Sequence, residues 1–215
     1  MADAQRGTDK TRAAGAAGAG SRIAGPADVA AITRTIALAF ADDPVWGPAF
    51  GGGRVGLADR EAIWEVMIRA AVRDPWSRLL DDAGAVSVWI APGGTELTEA
   101  EEHELSAVLS ARLGAHAAAE ALALMDRFTA NHPAEPQHAY LSLLATRPDR
   151  RGEGLGMALL GEDLHQLDDR HLPAYLESTN PLNDHRYRSV GFEPVGQFRT
   201  IDGGRTITTM WRPAR

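Results

Sequence analysis

Residues 147 to 156 read RPDRRGEGLG and set three arginines and three glycines between an apolar run and a helical pattern. The start of a helix leaves several main-chain N–H groups unpaired and carries roughly +0.5 of an elementary charge, so a loop that exposes them can hold a phosphate. Gly152, Gly154 and Gly156 let a ligand approach the backbone, and Arg150 and Arg151 can add charge-assisted contacts to phosphate oxygens. A surface turn with solvated arginines is the alternative. The loop is not a Walker loop, because Met157-Ala158 follow Gly156 where Lys and Ser or Thr are required. A dinucleotide fingerprint comes nearer, since strand, Gly-x-Gly, helix, strand and Glu177 occur in order. Met157 occupies the approach to its third glycine, however, Pro148 intervenes, and too little chain remains for a doubly wound sheet.

Two further side chains could handle protons. Tyr187 lies four residues after Asn183 and four before Gly191, so Asn183 and Tyr187 share one face of a short helix. Glu177 interrupts the apolar strand PAYLESTN, and alternation turns it away from Leu176 and Ser178. A buried carboxylate without a partner is rare, which gives Glu177 either a chemical role or a structural hydrogen bond to the next turn. His138 and His185 border the same region, each more often a solvated or hydrogen-bonded ring than a base. The seven histidines show no metal-ligand spacing, so no metal is expected.

These residues need a scaffold. Val29, Ile32, Ile36 and Phe40 recur at helical spacing and stop at Asp43-Pro44; Trp64, Met67, Ile68 and Ala71 form a second stripe. SRLLDDAGAVSVWIAP reads as two strands of a hairpin. Thr98 with Glu101 makes a capping box for a long helical stretch, bent or divided at Gly114. AYLSLLAT, residues 139 to 146, is a buried strand, and Met157, Leu160, Leu164 and Leu167 mark the helix behind the glycine loop. Pro173 to Thr179 is a strand, Asn180-Pro181 caps the helix that carries Tyr187, and FEPVGQF with RTITTMW closes as an antiparallel hairpin. The order predicts one mixed α/β sheet with a single parallel crossover.

With 215 residues and 44% hydrophobic content the chain supports a single domain. Residues 1–21, rich in Ala and Gly, read as a flexible tail, leaving 22–215 as the domain, and they lack the apolar centre of a signal peptide. No apolar run reaches membrane length. Absence of cysteine excludes disulfides and thiolate nucleophiles and suits a reducing cytoplasm. A net charge of −7 disfavours a nucleic-acid surface and favours a cationic or amine ligand.

Arg151-Gly152-Glu153-Gly154-Leu155-Gly156 resembles the Arg/Gln-x-x-Gly-x-Gly/Ala loop of the GNAT superfamily of acetyl-CoA-dependent N-acetyltransferases. NPLNDHRYRSVGF resembles its later Asn...Tyr-x-x-x-Gly-Phe signature. ALAFADDP, AVSVWIAP and PAYLESTNPLNDHRYRSVGF further resemble the puromycin N-acetyltransferase branch, over about Arg22 to Arg212. Thr146 departs from the usual apolar β-branched residue. The resemblance implies a GNAT fold whose central parallel strands splay apart around a pantetheine arm.

It also implies roles. The backbone of Leu144, Ala145 and Thr146 would pair with the pantetheine amides, and the amides of Arg151, Gly152, Glu153, Gly154, Leu155, Gly156 and Met157 would hold the pyrophosphate, with Asn183 beside the cosubstrate. Tyr187 would protonate the departing thiolate, although a tyrosine at ~10 against a thiol at ~8.5 makes complete transfer uphill by roughly 2 kcal/mol. A helix tyrosine packed at the sheet edge is the plainer alternative. Glu177 would take the acceptor's proton, and Asp43, Trp46 and Trp89 would shape the acceptor pocket, unless Trp89 is simply core. The implied activity is acetyl transfer in a ternary complex to a small-molecule amine such as an antibiotic or metabolite, by a cytoplasmic monomer or homodimer. Acetylation of a protein N-terminus or lysine, and a non-catalytic coenzyme A-binding domain, are the other readings.

Overall fold

A computed structural model describes residues 20–80 and 82–215. Residues 1–19, most of the expected tail, lie outside the described residues. The strands are β1 (Ser21–Ile23), β2 (Arg78–Leu80), β3 (Ala85–Ile90), β4 (Ala139–Thr146), β5 (Ala174–Ser178), β6 (Glu193–Arg199) and β7 (Thr206–Arg212). They form one sheet in the order β1-β2-β3-β4-β5-β7-β6. Among the described residues only β4 and β5 run parallel. The final hairpin folds inward, so β7 sits between β5 and the outermost β6.

The apolar stripes decide which helix covers which face. α1 (Val29–Ala39), α3 (Leu57–Ala71), α4 (Glu99–Leu113) and α5 (Ala115–Asn131) bury Ile32, Ile36, Trp64, Ile68, Leu105 and Leu109 in one core, which continues through Val86, Val88, Leu143 and Ala145. α6 (Leu155–Asp169) covers the opposite face, where Leu160, Leu164 and Leu167 pack with Trp89, Leu141, Leu176, Phe192 and Met210. The capping box forms as expected: Glu101 N–H donates to Thr98 Oγ1 at 3.4 Å and Thr98 N–H to Glu101 Oε2 at 2.8 Å. Gly114, at φ 81°, divides the long helical stretch into α4 and α5. No helix among the described residues is long and apolar enough to cross a membrane.

Two short helices lie near the site. The turn at Asp43-Pro44 ends α1 and also opens α2 (Trp46–Ala49), because Asp43 Oδ1 accepts from the N–H groups of Val45 and Trp46 at 2.9 and 2.8 Å. Four residues are too few to show a helical period, so the sequence reveals only the stop. Asn180 accepts from Leu182 N–H at 3.1 Å and starts the 3-10 turn Pro181–Asn183, which leads into α7 (Asp184–Ser189). Gly191, at φ 97°, closes it.

One buried acid makes the stability of the second core depend on pH. Asp163 on α6 accepts from Trp89 Nε1 at 2.9 Å and faces Arg78 Nε at 3.4 Å. Burial raises its carboxyl from 3.8 to about 6 despite the hydrogen bond from Trp89 and the charge of Arg78. The folded state therefore binds a proton more tightly than the unfolded chain, and its stability falls as pH rises from about 4 to 6. Asp163→Asn keeps an acceptor for Trp89 and carries no charge. The variant should match the parent near pH 4 and exceed it at pH 7 by up to about 3 kcal/mol in denaturant melts. Equal stability at both pH values would contradict this assignment.

Candidate active site

The parallel pair β4 and β5 is joined over only three residue pairs, Ala139 to Ala174, Tyr140 to Tyr175 and Leu141 to Leu176. Beyond them β4 runs on to Thr146, still paired with β3, and β5 runs on to Ser178, still paired with β7. The strands thus diverge, and the edge of β4 from Ser142 to Thr146 has no strand beside it. A bulge marks the point of departure. Val88 faces Leu143 while Trp89 faces Leu141, which leaves Ser142 as the extra residue. The bulge switches faces: Leu141 points to the core under α6, Leu143 and Ala145 to the core under α1 and α3.

A cavity of about 1250 Å³ opens through this gap, large enough for two ligands at once. Leu144, Ala145 and Thr146 line it, and so do the glycine loop, the end of α1, the end of α5, the end of β5 and the α7 segment.

At one end lies the glycine loop. Gly152 and Gly154 adopt φ 89° and 77°, conformations that glycine reaches without strain, and a Cβ on either would meet nothing within 4 Å. Gly156 serves a different purpose: a Cβ there would lie 2.6 Å from Thr146 Oγ1, so glycine lets α6 start against the end of β4 without moving that side chain. The main-chain N–H groups of Gly152 through Met157 find no acceptor among the described residues, as Ala158 is the first to bond back, to Gly154 O at 3.0 Å. Open space lies beside Gly152 and Gly154 at this helix start, which fits a diphosphate. Arg151 lines the cavity and donates from Nη2 to Ala39 O at 3.0 Å, tying the loop to α1. Arg150 does not serve the ligand as its sequence position suggests. It pairs with Asp82 and with Glu153 Oε1 (2.9 Å) and holds the loop onto the β2–β3 turn. Glu153 likewise faces Arg150 and not the cavity, so only its backbone is available there.

Glu177 projects from the face of β5 toward the end of α5. Its side chain is 2% exposed, yet neither carboxylate oxygen makes a hydrogen bond. His132 Nδ1 stands 3.5 Å from Oε1. The phenols of Tyr140 and Tyr175 complete the surround; burial, the Glu177 charge and the closeness of each phenol to that carboxylate hold both well above the ordinary tyrosine range. A second carboxyl, Glu96, lines the same cavity and accepts from Ser142 Oγ. Burial, reinforced by the charge of Glu177, raises its pKa above the usual carboxylate value.

Tyr187 approaches the cavity from the other face of the sheet. Its ring packs against Phe192 at 6.2 Å, and burial plus the charges of Asp43 and Asp184 push its phenol up to about 12. It therefore stays protonated at any physiological pH. Asn183 also lines the cavity and accepts from Arg186 Nη1 at 3.3 Å.

The structure brings most of the expected residues together around one cavity. Asp43 lines it, but its oxygens are engaged: besides the two N–H groups of α2, Oδ2 accepts from Thr179 Oγ1 at 2.7 Å, so Asp43 fastens the α1–α2 turn to the end of β5. Trp46 forms an aromatic wall, stacked on Phe128 at 4.9 Å. Trp89 does not reach the cavity. It is buried under α6 by its bond to Asp163, because its position in β3 points it to the opposite core. His185 is exposed and does not line the cavity, whereas His138 does. His132, Glu96 and Tyr140 were not singled out by sequence. His132 reads as an ordinary helix end before Pro133, and Glu96 as one acid among several around the capping box.

No protein-family model matches the chain. A solved Corynebacterium glutamicum protein described as histone acetyltransferase HPA2 and related acetyltransferase is similar over 92% of this chain and 97% of its own, at 25% identity and a TM-score of 0.67. Arylalkylamine N-acetyltransferase 2 from Aedes aegypti is similar over 92% and 100%, at 13% identity and a TM-score of 0.62. The NatC complex bound to Gag peptide and CoA is similar over 91% of this chain and 98% of the matched one, at 11% identity and a TM-score of 0.53. At the last two identities the likeness is one of fold. The structural neighbours are GNAT-family acetyltransferases, and the mixed sheet with its one parallel pair is the architecture they share with this chain.

Proposed function

We propose that the chain is an N-acetyltransferase that moves acetyl from acetyl-CoA directly to an amine of a small molecule. The carrying observation is a single continuous surface: the bare β4 edge leads at one end to the unpartnered N–H groups of Gly152 to Met157 and at the other to the unpaired carboxylate of Glu177. The first suits a diphosphate on a chain of amides. The second suits an ammonium that must lose a proton before it can attack.

In this reading residues 22–215 form the catalytic domain. The backbone of Leu144, Ala145 and Thr146 takes the place of a strand partner for the pantetheine amides, and one of their N–H groups polarises the thioester carbonyl. Glu177 collects the proton of the acceptor, and Tyr187 donates a hydrogen bond to the departing sulfur. Transfer is direct in this reading, and no cysteine thiol exists to form a thioester intermediate. Trp46 and Phe128 offer an apolar wall to the acceptor. The sequence likeness to the puromycin branch makes an aminonucleoside antibiotic one acceptor to examine.

The test is acetyl transfer by purified protein, followed as thiol release, to tyramine, agmatine, puromycin and a short peptide with a free N-terminus and a lysine. Turnover with one of the three small amines and little with the peptide is expected. Turnover with the peptide alone would move the acceptor to protein. Tight acetyl-CoA binding without transfer to any of them would make the chain a binding domain.

The loop gives a separate expectation. Gly154→Val forces a β-branched residue into a left-handed conformation and fills the open space before α6. Coenzyme A affinity measured by calorimetry should fall at least about tenfold, which is about 1.4 kcal/mol. Wild-type affinity in that variant would place the diphosphate elsewhere.

A further inference from the structure

Behind Glu177 the rings of His132 and His138 lie in line, and their hydrogens can be assigned from the far end inward. A carbonyl oxygen only accepts, so His138 Nδ1, at 2.8 Å from Pro136 O, carries hydrogen and donates. Burial lowers the pKa of His138, with the nearby His132 acting in the same direction, so the ring is neutral near pH 7 and its Nε2 is a lone pair. His132 Nε2, 3.0 Å from that lone pair, must then carry hydrogen and donate. In its neutral form His132 has one N–H, which the contact with His138 places on Nε2, so Nδ1, the atom 3.5 Å from Glu177 Oε1, is then the free lone pair. One carbonyl thus sets two tautomers in series and aims a basic nitrogen at a carboxylate. In that form two acceptors face each other, and one proton placed between them turns the contact into a His132–Glu177 ion pair.

The other neighbours do not suit the task. The titratable groups around His132 are Glu177 and Tyr175 on β5, Tyr140 on β4, His138 just before it, and Glu96 from the loop ahead of α4. The two phenols are acids and take up no proton, and a proton passed to Glu96 would stay on a second carboxyl, whose pKa burial raises. Glu177 itself is enclosed, whereas the His132 side chain is 30% exposed. The enclosed carboxylate needs an exit for one proton per turnover, and His132 is the neighbour with both a free lone pair and access to water.

We propose that His132 receives at Nδ1 the proton that Glu177 takes from the acceptor ammonium, and releases it to water, while His138 is a positioning residue that keeps Nδ1 the receiving atom. The inference rests on the acetyltransferase reading. The protons balance: an N–H bond of the ammonium breaks as Glu177 becomes a neutral carboxylic acid, that O–H breaks as the His132 imidazolium forms, and the imidazolium returns its Nδ1 proton to solvent in its original tautomer.

Ring-nitrogen NMR on the ¹⁵N-labelled wild-type protein tests the assignment without any substrate. The expected spectrum near pH 7.5 shows His138 protonated at Nδ1 and His132 at Nε2; a neutral His132 protonated at Nδ1 would overturn the proposal. The kinetic arm uses the amine of the panel with the highest turnover. His132→Gln should lose at least about tenfold in kcat at pH 7 with an unchanged KM for acetyl-CoA, and added imidazole should restore rate. His138→Phe should shift the acid limb of the kcat profile, because His132 is then free to adopt the other tautomer. Wild-type turnover with unaltered kcat in His132→Gln, or a loss that imidazole does not mend, overturns the relay alone. Absence of wild-type turnover on every amine and on the peptide overturns the parent reading with it.

Discussion

Glu177→Gln should lower kcat for amine acetylation at pH 7 by about 10²–10⁴-fold while leaving coenzyme A affinity unchanged. The size follows from the acceptor. An alkyl amine near pKa ~10 is neutral in only about one molecule per thousand at pH 7, and only the neutral form attacks. Glutamine fills the same space in the cleft of β5, His132, Tyr140 and Tyr175 but accepts no proton. Its rate should therefore climb about tenfold per pH unit as the solution deprotonates the amine, approaching the parent near pH 10. Unchanged coenzyme A affinity and a melting curve that still shows a cooperative fold separate a chemical loss from a folding loss. A flat pH dependence in the variant, or a rate equal to the parent at pH 7, would remove Glu177 from the reaction.

The second large effect belongs to Tyr187. With its phenol pushed up to about 12, complete transfer to a thiolate at ~8.5 would be uphill by about 5 kcal/mol, more than the ordinary tyrosine value implies. Tyr187 therefore works as a hydrogen-bond donor that stabilises charge growing on sulfur, not as a full proton source. Loss of one such donor costs about 10²–10³-fold, so Tyr187→Phe should reduce kcat by that factor with little change in KM for acetyl-CoA. The raised phenol also predicts that the wild-type kcat profile shows no alkaline limb from this residue below about pH 11. An alkaline limb near pH 9 that disappears in the phenylalanine variant would show a tyrosine of ordinary acidity acting by full transfer.

The parts of the site that rest on local rules were legible in the sequence. Glycines at positive φ, a helix beginning at Leu155, and a tyrosine four residues from Asn183 are set by neighbours along the chain. Glu177 stood out because an acid in an apolar strand conflicts with its surroundings. What the sequence hid depends on distant pieces meeting. The Ser142 bulge is invisible in the run AYLSLLAT, yet it decides which face each β4 side chain takes. For Trp89 the sequence left pocket wall and core both open, and only its place on β3 sends it under α6 to Asp163. Arg150 and Arg151 are adjacent and alike in type, but Asp82 captures the first while the second borders the cavity. His132 and Glu96 come from elements far from Glu177 in sequence, and no periodicity links them to it.

The brief pairing of β4 with β5 leaves a mark that can be followed amide by amide. Along one strand from Ser142 to Thr146, N–H groups aimed at β3 are locked in a ladder, while those aimed at the gap meet only solvent. Deuterium should thus enter this strand in alternation, every second position quickly and its neighbours slowly. A ligand that completes the open edge would erase the alternation, so the rhythm of exchange reports occupancy of the wedge even when nothing turns over.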